Sequence, residues 1–231
     1  MRIVWFFVSV GLLAIAVQAQ DRAAPCENAM LVFDASISMT GRGIAEAREA
    51  TRRVLPVLTR QRKVGLITYG GMPGPACDTI ALRLEPAANS ASLIQQAIDG
   101  LKPAGATPLT ESVELAIALL ARNARRGLVV LVTDGFENCH GDPCALARRL
   151  AAMGGEFKVH VIAYNLRVPQ GNAVACLARE TGGMLVEVNS TDELSRALTG
   201  TLGCPAVSWV SATGTEFYLG DSYRSALTYS K

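Results

Sequence analysis

Charge is scarce in this chain, and what there is lies scattered. Only 18% of the 231 residues are charged, and the formal net charge is +2. No block of Lys or Arg builds the footprint that a phosphate backbone requires, so nucleic acid is not an expected partner. Arg122, Arg125 and Arg126 cluster, but they fall between a helical pattern and an apolar strand and read as a solvated helix end. Lysine is confined to Lys63, Lys102, Lys158 and Lys231; with the many alanines, this arginine bias suggests a GC-rich bacterial genome. There are 2 histidines and no C-x-x-C pair, which argues against a structural zinc. No Gly-x-Ser-x-Gly elbow occurs, so the chain lacks that route to a nucleophilic hydrolase. No internal repeat is visible.

What is abundant is apolar. Half of the residues are hydrophobic, enough for a substantial core. Arg2 supplies a short positive start, Ile3 to Val17 is nearly all apolar, and Val17-Gln18-Ala19 offers the small residues a signal peptidase reads. That apolar stretch falls short of the ~20 residues of a spanning helix. Residues 1–19 are therefore expected to be a cleaved secretory signal, the alternative being a retained N-terminal anchor. Cys26 is not preceded by a lipoprotein pattern. The 6 cysteines agree with export, because disulfides persist in oxidising compartments. A periplasmic or secreted location follows, with no membrane insertion after cleavage.

Beyond the leader, strand-like and helix-like segments alternate. Strands are expected over Ala29–Phe33, Val64–Tyr69, Leu128–Val132, Phe157–Tyr164 and Met184–Val188, with Thr79–Leu84 as a short edge strand. Helices are expected over Ile44–Leu58, Ser90–Leu101, Thr110–Asn123, Cys144–Met153, Asn172–Thr181 and Asp192–Leu202. Pro56 should kink or shorten the first of them. The β-branched run LVVLV suits a central strand covered on both faces. This alternation implies an α/β fold: a doubly wound, mainly parallel sheet with helices on both faces. After Cys204 the pattern stops. Residues 204–231 form an extension too short for a domain, which the sequence leaves open as a hairpin, a packed extension or a tail.

In open parallel sheets ligands bind beyond the carboxyl ends of the strands, where strand order reverses. Three polar motifs fall in such places: Asp34-x-Ser36-x-Ser38 after the first strand, Thr133-Asp134-Gly135 after LVVLV, and Gly105-Ala106-Thr107-Pro108 before the strongest helix. In an extended loop residues two apart point the same way, so Asp34, Ser36 and Ser38 can converge. Thr107 and Asp134 would join them, giving five oxygen-bearing side chains suited to a hard cation such as Mg2+. Each motif alone has a plainer reading. Asp and Ser are common in turns, Thr107 before Pro108 fits a helix N-cap, and Thr-Asp-Gly fits a turn. Two carboxylates and three neutral hydroxyls at most balance a dication, so such a metal would seek an anionic oxygen from outside. A partner's Asp or Glu would fit.

These motifs, in this order, resemble the metal-ion-dependent adhesion site of von Willebrand factor type A domains. Asp34-x-Ser36-x-Ser38, Thr107 and Asp134 match the family's ligand motifs residue by residue, and the resemblance covers about residues 26–203. Ala35 stands where many members have glycine. The resemblance implies a Rossmann-like sheet with one antiparallel edge strand, here Thr79–Leu84. It also implies protein binding through Mg2+ or Mn2+ rather than catalysis. Two rival readings remain: an Mg2+-dependent hydrolase, for which His140 is the one obvious base, and a scaffold with a purely structural metal. His140 otherwise reads as a turn residue and His160 as a satisfied strand residue.

Topology constrains the cysteines. Cys26 enters the first strand where the last helix returns to Cys204, so these should pair. The other four allow Cys77–Cys139 with Cys144–Cys176, or a local Cys139–Cys144 loop that strands Cys77 and Cys176.

Overall fold

The computed structural model describes residues 26–204, apart from 73, 75, 123, 155, 167 and 169–171, together with the backbone of 209–210 and 216–217. The leader lies outside the described residues. Six strands make the main sheet: β1 (Ala29–Ala35), β2 (Val64–Gly70), β3 (Ala81–Ala87), β4 (Gly127–Thr133), β5 (Phe157–Tyr164) and β6 (Leu185–Val188). Six helices connect and follow them: α1 (Arg42–Gln61), α2 (Ala91–Asp99), α3 (Leu109–Ala121), α4 (Pro143–Ala152), α5 (Ala173–Glu180) and α6 (Thr191–Leu202). The strand order is β3-β2-β1-β4-β5-β6, all parallel except β3, which pairs antiparallel with β2 at the edge. The expected doubly wound sheet is therefore present. Two short strands, β7 (Trp209–Val210) and β8 (Glu216–Phe217), pair with each other within the extension.

Alternation in β4 shows why the sheet is covered twice. Leu128, Val130 and Val132 face a core built with α1, α2 and α6, while Val129 and Leu131 face one built with α3, α4 and α5. Every residue of β1, β2 and β4 is buried. Strand order reverses around β1, which lies between β2 and β4, so loops leaving β1 and β4 part on opposite faces and leave a crevice.

Several boundaries differ from expectation for local reasons. Helix α1 runs past Leu58 to Gln61 with Pro56 inside it. Pro56, Arg52, Arg53 and Arg60 are all exposed, so the carbonyl that loses its N–H partner faces water and the helix continues. Strand β3 starts at Ala81, not Thr79, because the buried Thr79 hydroxyl instead accepts a bond from the Gly70 N–H at 3.1 Å. Pro86 is tolerated because β3 is an edge strand. Ser190 caps α6, accepting from the Glu193 N–H at 3.3 Å. Arg122, Arg125 and Arg126 are exposed between α3 and β4, as a solvated helix end should be.

All six cysteines pair. Cys26–Cys204, Cys77–Cys139 and Cys144–Cys176 have Cα–Cα distances of 5.9, 5.8 and 5.0 Å, and the local Cys139–Cys144 loop is excluded. The first closes a span of 178 residues, worth as much as about 5 kcal/mol in the chain-entropy account. No helix among the described residues is long and apolar enough to cross a membrane.

His160 in β5 is a satisfied strand residue: its Nδ1 accepts the Met184 N–H at 2.8 Å. Burial, with Lys158 and Arg62 nearby, holds it down at about 4, against an ordinary value of 6.5. The unfolded chain then binds more protons between those two values, so stability falls as pH drops from about 6.5 to about 4. Chemical denaturation across this window should show a loss of up to about 3 kcal/mol, removed in His160→Gln.

Candidate metal centre

Asp34 is the penultimate residue of β1 and is fully buried. Its Oδ1 accepts the Ser36 N–H at 2.7 Å. Its Oδ2 accepts the Thr133 hydroxyl at 2.7 Å and the Tyr69 hydroxyl at 2.9 Å. Tyr69 lies directly opposite Asp34 in the β1–β2 register, and Thr133 ends β4. The carboxylate is thus gripped by all three central strands. Burial still pushes its pKa up, although these bonds pull the other way.

The chain beyond Asp34 is not extended throughout, contrary to the expectation that simple alternation would align the three side chains. Ser36 is extended, but Ile37–Met39 forms a single 3-10 turn. The turn nonetheless brings the Ser38 hydroxyl to 3.0 Å from that of Ser36, and Ser38 donates to Asp134 Oδ1 at 2.6 Å. Asp34, Ser36, Ser38 and Asp134 thereby form one hydrogen-bonded chain. Thr107 stands beside it: a Cβ added to Gly135 would lie 3.6 Å from Ser38 Oγ and 3.7 Å from Thr107 Oγ1. Asp134 also faces the first turn of α1, since a Cβ on Gly43 would lie 3.9 Å from Asp134 Oδ2. That helix N-terminus favours negative charge.

Two glycines make the approach of the loops feasible. Gly70 has φ +79°, and a Cβ there would lie 2.5 Å from the Ala35 carbonyl oxygen. That same carbonyl accepts the Gly71 N–H at 2.9 Å and the Ala104 N–H at 3.0 Å, which fastens the Thr107 loop to the end of β1. Gly105, at φ +78°, lies so near Met72 that a Cβ would collide with its carbonyl oxygen. Thr107 is not the helix N-cap. Pro108 occupies that place in α3, without a side-chain cap.

Two residues that sequence reasoning did not single out, Glu137 and Asn138, hold this loop. Asn138 Oδ1 accepts the Thr107 N–H at 2.7 Å. Glu137 Oε2 accepts both the N–H and the hydroxyl of Thr110, at 2.8 and 2.6 Å, and its Oε1 accepts the Cys139 N–H at 2.8 Å. Cys139 is bonded to Cys77 on the β2–β3 loop. The missing cap of α3 is therefore supplied from the loop after β4, and Glu137-Asn138-Cys139 clasps three loops at once. Nothing in the local pattern of Thr107–Thr110 signals this, because the acceptor lies 27 residues away from Thr110.

The donor set fits a hard divalent cation on its own chemistry. Neither Asp34 nor Asp134 forms an ion pair among the described residues, although each has the other's charge nearby. Burial pushes Asp134 up to about 6, against the Ser38 hydrogen bond and with the help of the Asp34 charge. Two carboxylates held together without a cationic side chain are what an added cation would relieve. No group of three or more His, Cys, Asp or Glu converges among the described residues, because this cluster is completed by hydroxyls.

A sequence profile of the von Willebrand factor type A domain matches residues 28–198. The uncharacterized protein YwmD of Bacillus subtilis (strain 168) is 28% identical over 205 residues, 81% of this chain and 92% of its own length. The SpRpn10 VWA domain superposes with a TM-score of 0.60 at 16% identity, over 79% of this chain and 99% of that one. Proximal thread matrix protein 1 of the mussel byssus, in a structure with a zinc-occupied MIDAS motif, superposes with a TM-score of 0.57 at 18% identity. That match covers 76% of this chain and 45% of the byssus chain.

Glu137→Ala would remove the caps of Thr110 and Cys139 together. Urea unfolding should report a loss of about 2 kcal/mol, more than a surface carboxylate ordinarily contributes.

Proposed function

The chain belongs to the von Willebrand factor type A domain family, and on that premise we propose that it is an exported binding module. In this reading Asp34, Ser36, Ser38, Thr107 and Asp134 hold Mg2+ or Mn2+, and an acidic side chain of a partner protein completes the site. The single observation that carries the reading is the joined cluster itself: two carboxylates and two serine hydroxyls in one hydrogen-bonded chain, with Thr107 beside it. All the donors are oxygen, which suits hard divalent cations. The zinc-occupied motif in the mussel protein supports a divalent ion in this fold.

Bound there, the cation would supply an electrophilic position for an anionic oxygen. The residues of this chain fix the rest. Tyr69, Thr133 and the Ser36 N–H orient Asp34, Ser38 orients Asp134, and Asn138 holds the backbone of Thr107. With only two carboxylates, the site as a whole does not overbalance a dication, which favours an acidic ligand over a neutral one. Binding is favoured over hydrolysis because both carboxylates of the cluster would be committed to the cation and neither histidine is among its five residues. His160 is committed to Met184, and His140 is exposed on the loop after Cys139. Export is supported by the three disulfides, one of which braces the site loops.

Calorimetric titration of the EDTA-treated chain with Mg2+ and Mn2+ tests this. Binding is expected at pH 7.5, weakened at least tenfold (about 1.4 kcal/mol) in Asp134→Asn. Asp134 must lose its proton to serve as a ligand, and that proton leaves at about 6, so affinity should fall as pH drops below 6, with proton release on binding. Heat and thermal unfolding that ignore Mg2+, Mn2+ and EDTA alike would sink the proposal. Metal-dependent turnover of phosphate or peptide esters would move it to the hydrolase.

A further inference from the structure

Large apolar side chains gather around the candidate metal centre, where nothing among the described residues covers them. Eight are exposed among the described residues, and three of these belong to the site loops: Ile37 at 62%, Met72 at 60% and Phe136 at 40%. Single exposed hydrophobics are ordinary, but several around one polar cluster are not scattered. Ile37 sits between Ser36 and Ser38, and its N–H donates to the Gly105 carbonyl at 3.2 Å. Met72 packs its backbone on that same Gly105, so Ile37 and Met72 reach the rim from two sides of one turn. Phe136 follows Gly135, which lies against both Ser38 and Thr107. The Cys77–Cys139 bond ties the loop bearing Met72 to the loop bearing Phe136.

The charges around this collar are few. Residues 35–41, 71–77 and 103–109 carry no charged side chain, and the charges that border them, besides the buried Asp34, are the exposed Arg42, Asp78 and Lys102. On the fourth loop, Glu137 is engaged by Thr110 and Cys139, and Asp142 caps α4 by accepting the Ala145 N–H. Beyond the central cluster, the rim therefore offers a partner mainly apolar contact, from side chains of the kind enriched in interface cores.

Resting on the metal-binding reading of the same cluster, we infer that the partner is a protein segment presenting an Asp or Glu flanked within two residues by large apolar side chains. The acid meets the proposed cation and the flanks cover Ile37, Met72 and Phe136. Because the collar is fastened by a disulfide and by the Gly105 turn, little loop ordering is needed on contact.

A displayed library of random dodecapeptides, captured on the full chain in Mg2+ and eluted with EDTA, is the test. The expected pool is enriched in an acidic residue with Leu, Ile, Met, Phe or Trp within two positions. The triple variant Ile37→Ser/Met72→Ser/Phe136→Ser should keep the acidic preference, lose the apolar one and bind the best wild-type peptide at least tenfold more weakly. Its affinity for Mg2+ alone should stay within about twofold. Met72→Ser and Phe136→Ser alone, each checked for wild-type thermal unfolding, should each give a partial loss. Acidic peptides without apolar flanks, or the same pool from wild type and triple variant, overturn the inference while leaving the metal reading intact. No uptake of Mg2+ by the wild-type chain overturns both.

Discussion

A carboxylate at the centre of a parallel sheet must be compensated, and the way Asp34 is compensated organises the whole rim. Its two oxygens take three hydrogen bonds, from the Ser36 N–H and from the hydroxyls of Tyr69 and Thr133. Stripping a buried polar group of its partners costs more than the bonds are worth in water, so these donors are strongly fixed. They come from the residue just after β1 and from β2 and β4, at the ends of the three strands that meet where the sheet changes direction. The group that carries the chemistry is thus also what sets these strand ends relative to one another. Even so, burial keeps its pKa raised, so the compensation is incomplete without further positive charge.

Around that fixed point the loops are fastened by local means rather than by packing. The Ala35 carbonyl takes two N–H groups from neighbouring loops, and Gly70 exists in a form that lets them come close. Glu137, Asn138 and Cys139 then bind the opposite side, through a side-chain cap, a hydrogen bond that Asn138 Oδ1 accepts from the Thr107 N–H, and a disulfide. Loops carrying functional groups usually gain variety at the cost of definition. Here three successive residues restore the definition.

Much of this was legible in the chain before any coordinates. The alternation of periods identified the sheet and its helices, and the LVVLV run marked the central strand because a strand covered on both faces has no polar side to show. The Cys26–Cys204 pair followed from α6 returning to the start of β1, whereas the other four cysteines stayed between two schemes until α4, lying beside α5, decided for Cys144–Cys176. Boundaries were less legible where a distant partner decides them. Thr79 is withheld from β3 by the Gly70 N–H, and Pro56 survives inside α1 because its vacancy faces water. The five candidate residues stood out because oxygen-bearing types cluster at strand ends. Their supports did not: Tyr69 looks like an ordinary strand aromatic, and Glu137 like a surface acid. Only the register opposite Asp34 and the fold-over onto α3 reveal what they hold.

Cys26 and Cys204 meet at the end of the sheet where β1 begins, whereas Asp34 lies at the other end of the same strand. Tension applied between the two ends of the chain therefore crosses a single covalent link and never loads the sheet. Tension between a partner held at the proposed site and either end would run along β1 itself, from Asp34 back toward Cys26, so the covalent backbone of the strand would carry it rather than the hydrogen bonds to β2 and β4. The domain is strung to bear a pull along the axis on which its proposed site would receive one.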